Sequence, residues 1–125
     1  MKALIGIISA ERLRNRMMAI ARGEYKPQPG EPKVWFASLN AVGQVLSNDN
    51  INLLRMMDEH KPKTMAELAK LSGRQPSNLS VTLKTLESHG FVALVKTGKT
   101  IEPKALFIDF DIRVDSDDIS PIKAA

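Results

Sequence analysis

Along residues 76–89 the side chains separate into two arcs of opposite chemistry once helical spacing is applied. Leu79, Leu83 and Leu86 fall within about 60° of one another at 100° per residue, a ridge that has to face a core. The opposite arc carries Ser77, Asn78, Val81, Lys84, Thr85 and Ser88: short polar groups, one lysine, one valine and no acid. A solvated helix face ordinarily mixes in glutamates, whereas Glu87 lies off the centre of this arc. Small hydroxyls and an amide can approach base edges in a major groove, and a valine can touch a thymine methyl. Ser77, Asn78 and Val81, near the helix start, are the base-reading candidates. Arg74, Gln75, Lys84 and Thr85 suit phosphates, where positive charge positions a helix without reading sequence.

The neighbouring segments are those needed to hold such a helix. Thr64-Met65-Ala66-Glu67 has the capping-box pattern, in which threonine bonds the N3 amide and glutamate reaches back to the cap amide. The helix it starts ends at Gly73, Arg74-Gln75 form a turn, and Pro76 suits the first position of the next helix, which stops at Gly90. Residues 91–95 are strand-like, 96–100 form a polar turn, and 106–114 alternate. On that last segment Leu106, Ile108, Phe110, Ile112 and Val114 share one side and Phe107, Asp109, Asp111 and Arg113 the other. Upstream, Ser38 and Ser47 are caps for two helices, the second with Ile51, Leu54 and Met57 facing inward and ended by Pro62. Helix, helix, short turn, helix and a hairpin with a basic tip predict a winged helix-turn-helix. Lys96 and Lys99 flank Gly98 at that tip and are expected to contact the DNA backbone as point charges.

The stretch from Ala66-Glu67-Leu68-Ala69 through Ser77-Asn78-Leu79-Ser80 to Leu86-Glu87-Ser88-His89-Gly90-Phe91-Val92 resembles the MarR-type winged-helix regulators of bacteria and archaea. Residues 33–114, about two-thirds of the chain, are similar to a group of small DNA-binding regulators in which a Trp/Phe strand and a short helix precede the winged helix. Val34-Trp35-Phe36 and the helix over 39–46 match that arrangement. Some members are similar to antitoxin partners of small toxins. The resemblance implies duplex DNA binding and says nothing of the target gene. The chain departs from the family at the wing tip, where lysines replace the usual arginine and the planar fork for a minor groove is lost.

Residues 2–8 read as a strand, Ser9 as a cap, and the segment from Ala10 as a helix with an apolar stripe of Ala10, Leu13, Met17, Ile20 and Ala21. Three prolines between residues 27 and 32 predict a linker. The expected division is an N-terminal strand–helix arm with its proline-rich linker over 1–32, a winged helix-turn-helix over 33–115 and a flexible tail over 116–125. An amphipathic arm cannot bury its own stripe, so Leu13, Met17 and Ile20 are the expected dimer or partner contact. The fold class is mostly α, of the α+β type, with a small β-hairpin wing.

Charge follows the same plan. Seven Lys/Arg stand against three acids over 1–35, one against three over 36–60, eight against three over 61–104, and two against five over 105–125. A basic middle between acidic neighbours points to an anionic partner on one face. The chain has no cysteine, which excludes disulfide scaffolds, thiolate metal sites and thiol catalysis. His60 and His89 each follow a helix, where the dipole accounts for them, and no metal or cofactor is expected. The aspartates at 109, 111, 115, 117 and 118 lack a base, nucleophile or phosphate loop nearby, so no enzyme is expected. No apolar run approaches the ~20 residues of a membrane span, and a cytoplasmic location is expected. The expected function is sequence-specific binding of double-stranded DNA by a homodimer, a repressor acting on its own operon. The alternative is a protein-interaction module, such as an antitoxin that binds a toxin-like partner through its N-terminal arm.

Overall fold

The computed structural model describes residues 2–114 and is an α+β fold. Its elements are β1 (Lys2–Ile7), α1 (Ala10–Ala21), β2 (Val34–Phe36), α2 (Leu39–Val45), α3 (Asn48–His60), α4 (Met65–Ser72), α5 (Pro76–Ser88), β3 (Val92–Thr97), β4 (Thr100–Ala105) and β5 (Asp109–Arg113). No helix among the described residues is long and apolar enough to cross a membrane. The chain forms two compact units, Gln44–Asp109 and Lys2–Gly43 with the residues from Phe110 onward.

In the first unit, local chemistry fixes the helix ends. Ser47 Oγ accepts the Asn50 amide at 3.2 Å and Thr64 Oγ1 accepts the Glu67 amide at 3.1 Å, each satisfying a first-turn donor that has no partner inside its helix. Gly73 closes α4 at φ 72°, a conformation open to glycine and strained for most other residues. α5 ends in a Schellman motif: the Gly90 amide donates to Glu87 O at 2.9 Å and the Phe91 amide to Leu86 O at 3.0 Å. Leu86 and Phe91 are fully buried, the apolar contact that accompanies this cap. β3 and β4 then pair antiparallel around Gly98-Lys99, with Gly98 at φ 62°. Leu53, Leu54, Met57, Leu68, Leu79, Leu83, Leu86, Phe91 and Val92 supply the core.

The strand 106–114 expected to close the wing does something else. β4, over Thr100–Ala105, is the partner of β3, with Leu94 opposite Pro103. Proline lacks the amide a ladder uses, so its presence argues against a strand, yet an edge strand tolerates it. β5 belongs to a separate three-stranded sheet of order β2-β1-β5. Leu106, Ile112 and Val114 are exposed, so the alternating apolar side is not a buried face along its length. A smaller departure occurs on α3, where Leu53 rather than Ile51 is buried.

In the second unit the N-terminal residues take part in a sheet. β1 pairs in parallel with β2, Gly6 opposite Trp35, so β1-α1-β2 is a crossover unit with β1 central. By contacts the chain divides after Gly43. The proline-rich segment is tied down at both ends. Arg16 Nη2 donates to Glu31 Oε1 at 2.7 Å, Tyr25 Oη donates to Glu31 Oε2, and the Arg16 guanidinium lies 5.0 Å from the centres of both the Tyr25 and Trp35 rings. The predicted tail, 116–125, lies outside the described residues.

Two outcomes follow. A Cβ at Gly6 would lie 2.6 Å from Trp35 Cε3 and 2.9 Å from Pro32 Cγ, so Gly6→Ala forces the ring off β1. It should lower stability in denaturant titration by about 1–3 kcal/mol. The hydrogen bonds from Arg16 and Tyr25 hold the Glu31 carboxyl at about 2, below its ordinary 4.5. A depressed carboxylate contributes stability that is complete above the ordinary value and lost as pH falls toward the native one. The melting temperature of the parent chain should therefore exceed that of Glu31→Gln at pH 7, and the gap should close between pH 4.5 and 2.

Candidate nucleic-acid interface

α5 is a 13-residue helix whose inner ridge of Leu79, Leu83 and Leu86 is fully buried. Burying three leucines on one side commits the opposite side to solvent. Ser77, Asn78, Val81, Lys84, Thr85 and Ser88 are all exposed, and Val81 keeps 68% of its surface. A β-branched apolar side chain so exposed on a helix gains nothing from folding and is free to touch an apolar group of another molecule. The arc expected from residue spacing is thus one continuous exposed surface.

Within the arc, the hydroxyls differ. Thr85 Oγ1 donates to Val81 O at 3.1 Å and Ser88 Oγ to Thr85 O at 2.6 Å. Each has spent its one proton on its own helix and presents lone pairs outward. Phosphate oxygens are acceptors, so Thr85 can serve a phosphate only by releasing Val81 O. Ser77 and Asn78, in the first turn, make no such bond to the helix backbone among the described residues.

The start of α5 carries a feature that sequence reading missed. Gln75 occupies the cap position with extended backbone and makes no side-chain cap bond, Pro76 sits in the first turn, and that turn holds no acid. The first amides of a helix have no internal acceptors and carry the positive end of its dipole, so an uncapped, acid-free N-terminus favours an anion. The signal in the sequence was glutamine at a position where serine, threonine or aspartate is usual.

Arg74, expected at a phosphate, is half-buried and its Nη2 donates to Asp49 O at 3.1 Å, in the first turn of α3. The contact ties the α4–α5 turn to α3 and occupies one of several donors of the guanidinium. Gln75 is exposed. Lys96 and Lys99 are exposed at the β3–β4 hairpin, and none of Lys84, Lys96 and Lys99 forms an ion pair among the described residues. All of these groups belong to the unit Gln44–Asp109.

Leu13, Met17 and Ile20 lie in the other unit, away from this constellation in the chain. Leu13 and Ile20 are half-buried and Met17 is 61% exposed, and no residue of α1 is buried. Leu13 and Met17 line two open apolar hollows, of about 400 Å³ with Ala10 and Ala37 and about 430 Å³ with Trp35 and Pro32. No group of three His, Asp or Glu among the described residues could hold a metal ion. His89 caps α5, stacks on Phe91 at 6.1 Å between ring centres, and is pushed below its ordinary pKa by burial.

A model of the family described as HVO_A0114 matches residues 45–112, more than half of the chain. The chain belongs to the HVO_A0114 family. The chain has no match among curated proteins. The HVO_A0114 span begins at the last residue of α2 and takes in α3 to α5, the hairpin and most of β5. It therefore contains the whole exposed arc of α5 and both hairpin lysines.

Val81 and Leu83 test the two sides of α5. Val81→Ser should leave unfolding free energy within about 0.5 kcal/mol of the parent. Leu83→Ala should cost about 2–5 kcal/mol in the same denaturant titration.

Proposed function

We propose that the chain is a MarR-type winged helix-turn-helix regulator that binds double-stranded DNA and represses transcription, its own operon included. α4 and α5 are the two helices of the motif and the β3–β4 hairpin is the wing. The observation that carries this reading is the outward arc of α5: Ser77, Asn78 and Val81 exposed beside an uncapped helix start, with no acid on the arc, over a fully buried leucine ridge. A helix built this way can lie in a major groove with its first turn on base edges. Arg74, Gln75 and Lys84 hold the phosphates on either side, and Lys96 and Lys99 track the adjacent backbone. A homodimer places two such helices about 34 Å apart on a pseudo-palindrome.

A second reading is favoured by α1, whose Met17 and Met18 are exposed above an open apolar hollow. In it the chain is a protein-interaction module of antitoxin type, with Leu13, Met17 and Ile20 against a toxin-like partner. Deleting residues 1–32 does not discriminate the two, because it removes the central strand β1. Met17→Glu alters the exposed stripe and leaves β1 in place.

Titration against the chain's own upstream DNA and a scrambled duplex, at two salt concentrations, tests the regulator. Preference for upstream DNA should persist at the higher salt. Asn78→Ala should relax that preference at a cost of about 1–3 kcal/mol, while Lys84→Ala weakens all duplexes about equally and lowers the salt slope by about one. Equal binding to both duplexes that collapses with salt would leave phosphate contact alone and favour the second reading.

A further inference from the structure

β5 is the terminal strand of the sheet β2-β1-β5, and among the described residues no strand pairs with its outer edge. On its apolar side Ile112 is 45% and the following Val114 44% exposed. An unpaired edge presents a row of backbone N–H and C=O groups that is a template for another strand. β2, at the other edge, has only three residues. We propose that the outer edge of β5 is a self-association surface, occupied by β5 of a second copy of this chain in antiparallel, two-fold pairing centred on Ile112.

The occupant and the register follow from residues 110–114. In antiparallel pairing, directly opposed residues share a face, so a register that opposes odd to even positions sets aspartate against isoleucine or phenylalanine. Among two-fold registers that keep like with like, centring on Phe110 opposes Asp109 to Asp111 of the other copy. Centring on Asp111 opposes it to itself, and centring on Arg113 does the same to the arginine. Each sets like charges against one another, which is unfavourable. Centring on Ile112 opposes Ile112 to itself, Phe110 to Val114 and Asp111 to Arg113, each of the last two pairs occurring twice. One face becomes a continuous apolar stripe. The other becomes a row of alternating sign, because Lys2 Nζ already stands 3.7 Å from Asp111 Oδ2 on the inner side. The α1 stripe is a poorer seat for a twin helix, because it is flanked by arginines, Arg14 and Arg22 on α1 and its cap among them, that would bring like charges together.

This surface supplies the dimer in the regulator reading but stands on β5 and not on DNA contact. Because the chain has no cysteine, Ile112→Cys introduces a single thiol. Opposed residues in an antiparallel pair have Cα atoms about 4.5–5.5 Å apart, within the roughly 4.4–6.8 Å that a disulfide spans. The expected result on the full chain is a dimer in sedimentation velocity and a disulfide-linked dimer of Ile112→Cys on mild oxidation, with no such product from Met17→Cys. Asp111→Arg and Arg113→Asp, each with parental circular dichroism, should sediment as monomers, and the two together should restore the dimer. A monomeric parent, a Met17→Cys dimer in place of the Ile112→Cys dimer, or a folded double variant as monomeric as the single ones would overturn the proposal. Upstream-DNA preference kept by a monomeric parent overturns this interface alone. An Ile112→Cys dimer from a chain indifferent to DNA sequence supports the interface and removes the regulator reading.

Discussion

The junction between α5 and the hairpin constrains what the first unit can present to a partner. Gly90 at φ 82° lets the amides of residues 90 and 91 turn back onto Glu87 O and Leu86 O. The same turn drives Phe91 into the core beside Leu86. Phe91 O then accepts the Leu106 amide at 2.9 Å, so one residue closes the helix, opens β3 and anchors the end of β4. A residue with a Cβ at position 90 would strain this φ and loosen the helix and the hairpin together. The exposed arc of α5 and the hairpin that carries Lys96 and Lys99 are joined through this short segment, which belongs to both.

Caps and glycines were legible in the sequence because their physics is local. Ser9, Ser47 and Thr64 each accept an amide three residues on, and Gly73 and Gly90 hold the left-handed positions that their places after helices suggested. The two arcs of α5 were legible for the same reason, since helical spacing places each side chain without reference to the rest of the chain. What those arcs meet was not legible. Arg74 has the charge of a phosphate ligand, and only three-dimensional placement reveals that one of its donors lies on Asp49 O, twenty-five residues away in sequence.

Strand partners were the part least available from sequence. Alternation over 106–114 announces an extended segment, but period two carries no information about which strand lies alongside. Pro103 hid β4, and the longer alternating run that followed took its place as the expected second strand of the wing. The N-terminal residues misled in a related way. Three prolines between 27 and 32 look like a spacer, yet Glu31 among them accepts hydrogen bonds from Arg16 and Tyr25, and Pro32 packs near β1 at Gly6. Proline forbids a helix there without making the segment loose. A carboxylate held by two donors from distant positions makes a closed loop of the same composition.

The HVO_A0114 span sharpens what β5 means. It ends at residue 112, inside β5, while the strand that β5 pairs with, β1, lies outside the span altogether. Residues 45–112 therefore include a strand whose inner edge must be satisfied by chain from elsewhere, here by the N-terminal crossover unit. β5 is a five-residue strand with two aspartates and an arginine on its charged side and Ile112 exposed on its apolar side. β1 satisfies the backbone of one edge and, through Lys2, one carboxylate of the charged row. The outer edge keeps its row of backbone donors and acceptors, and the proposed occupant is the segment whose own alternation matches that row in register: the strand itself.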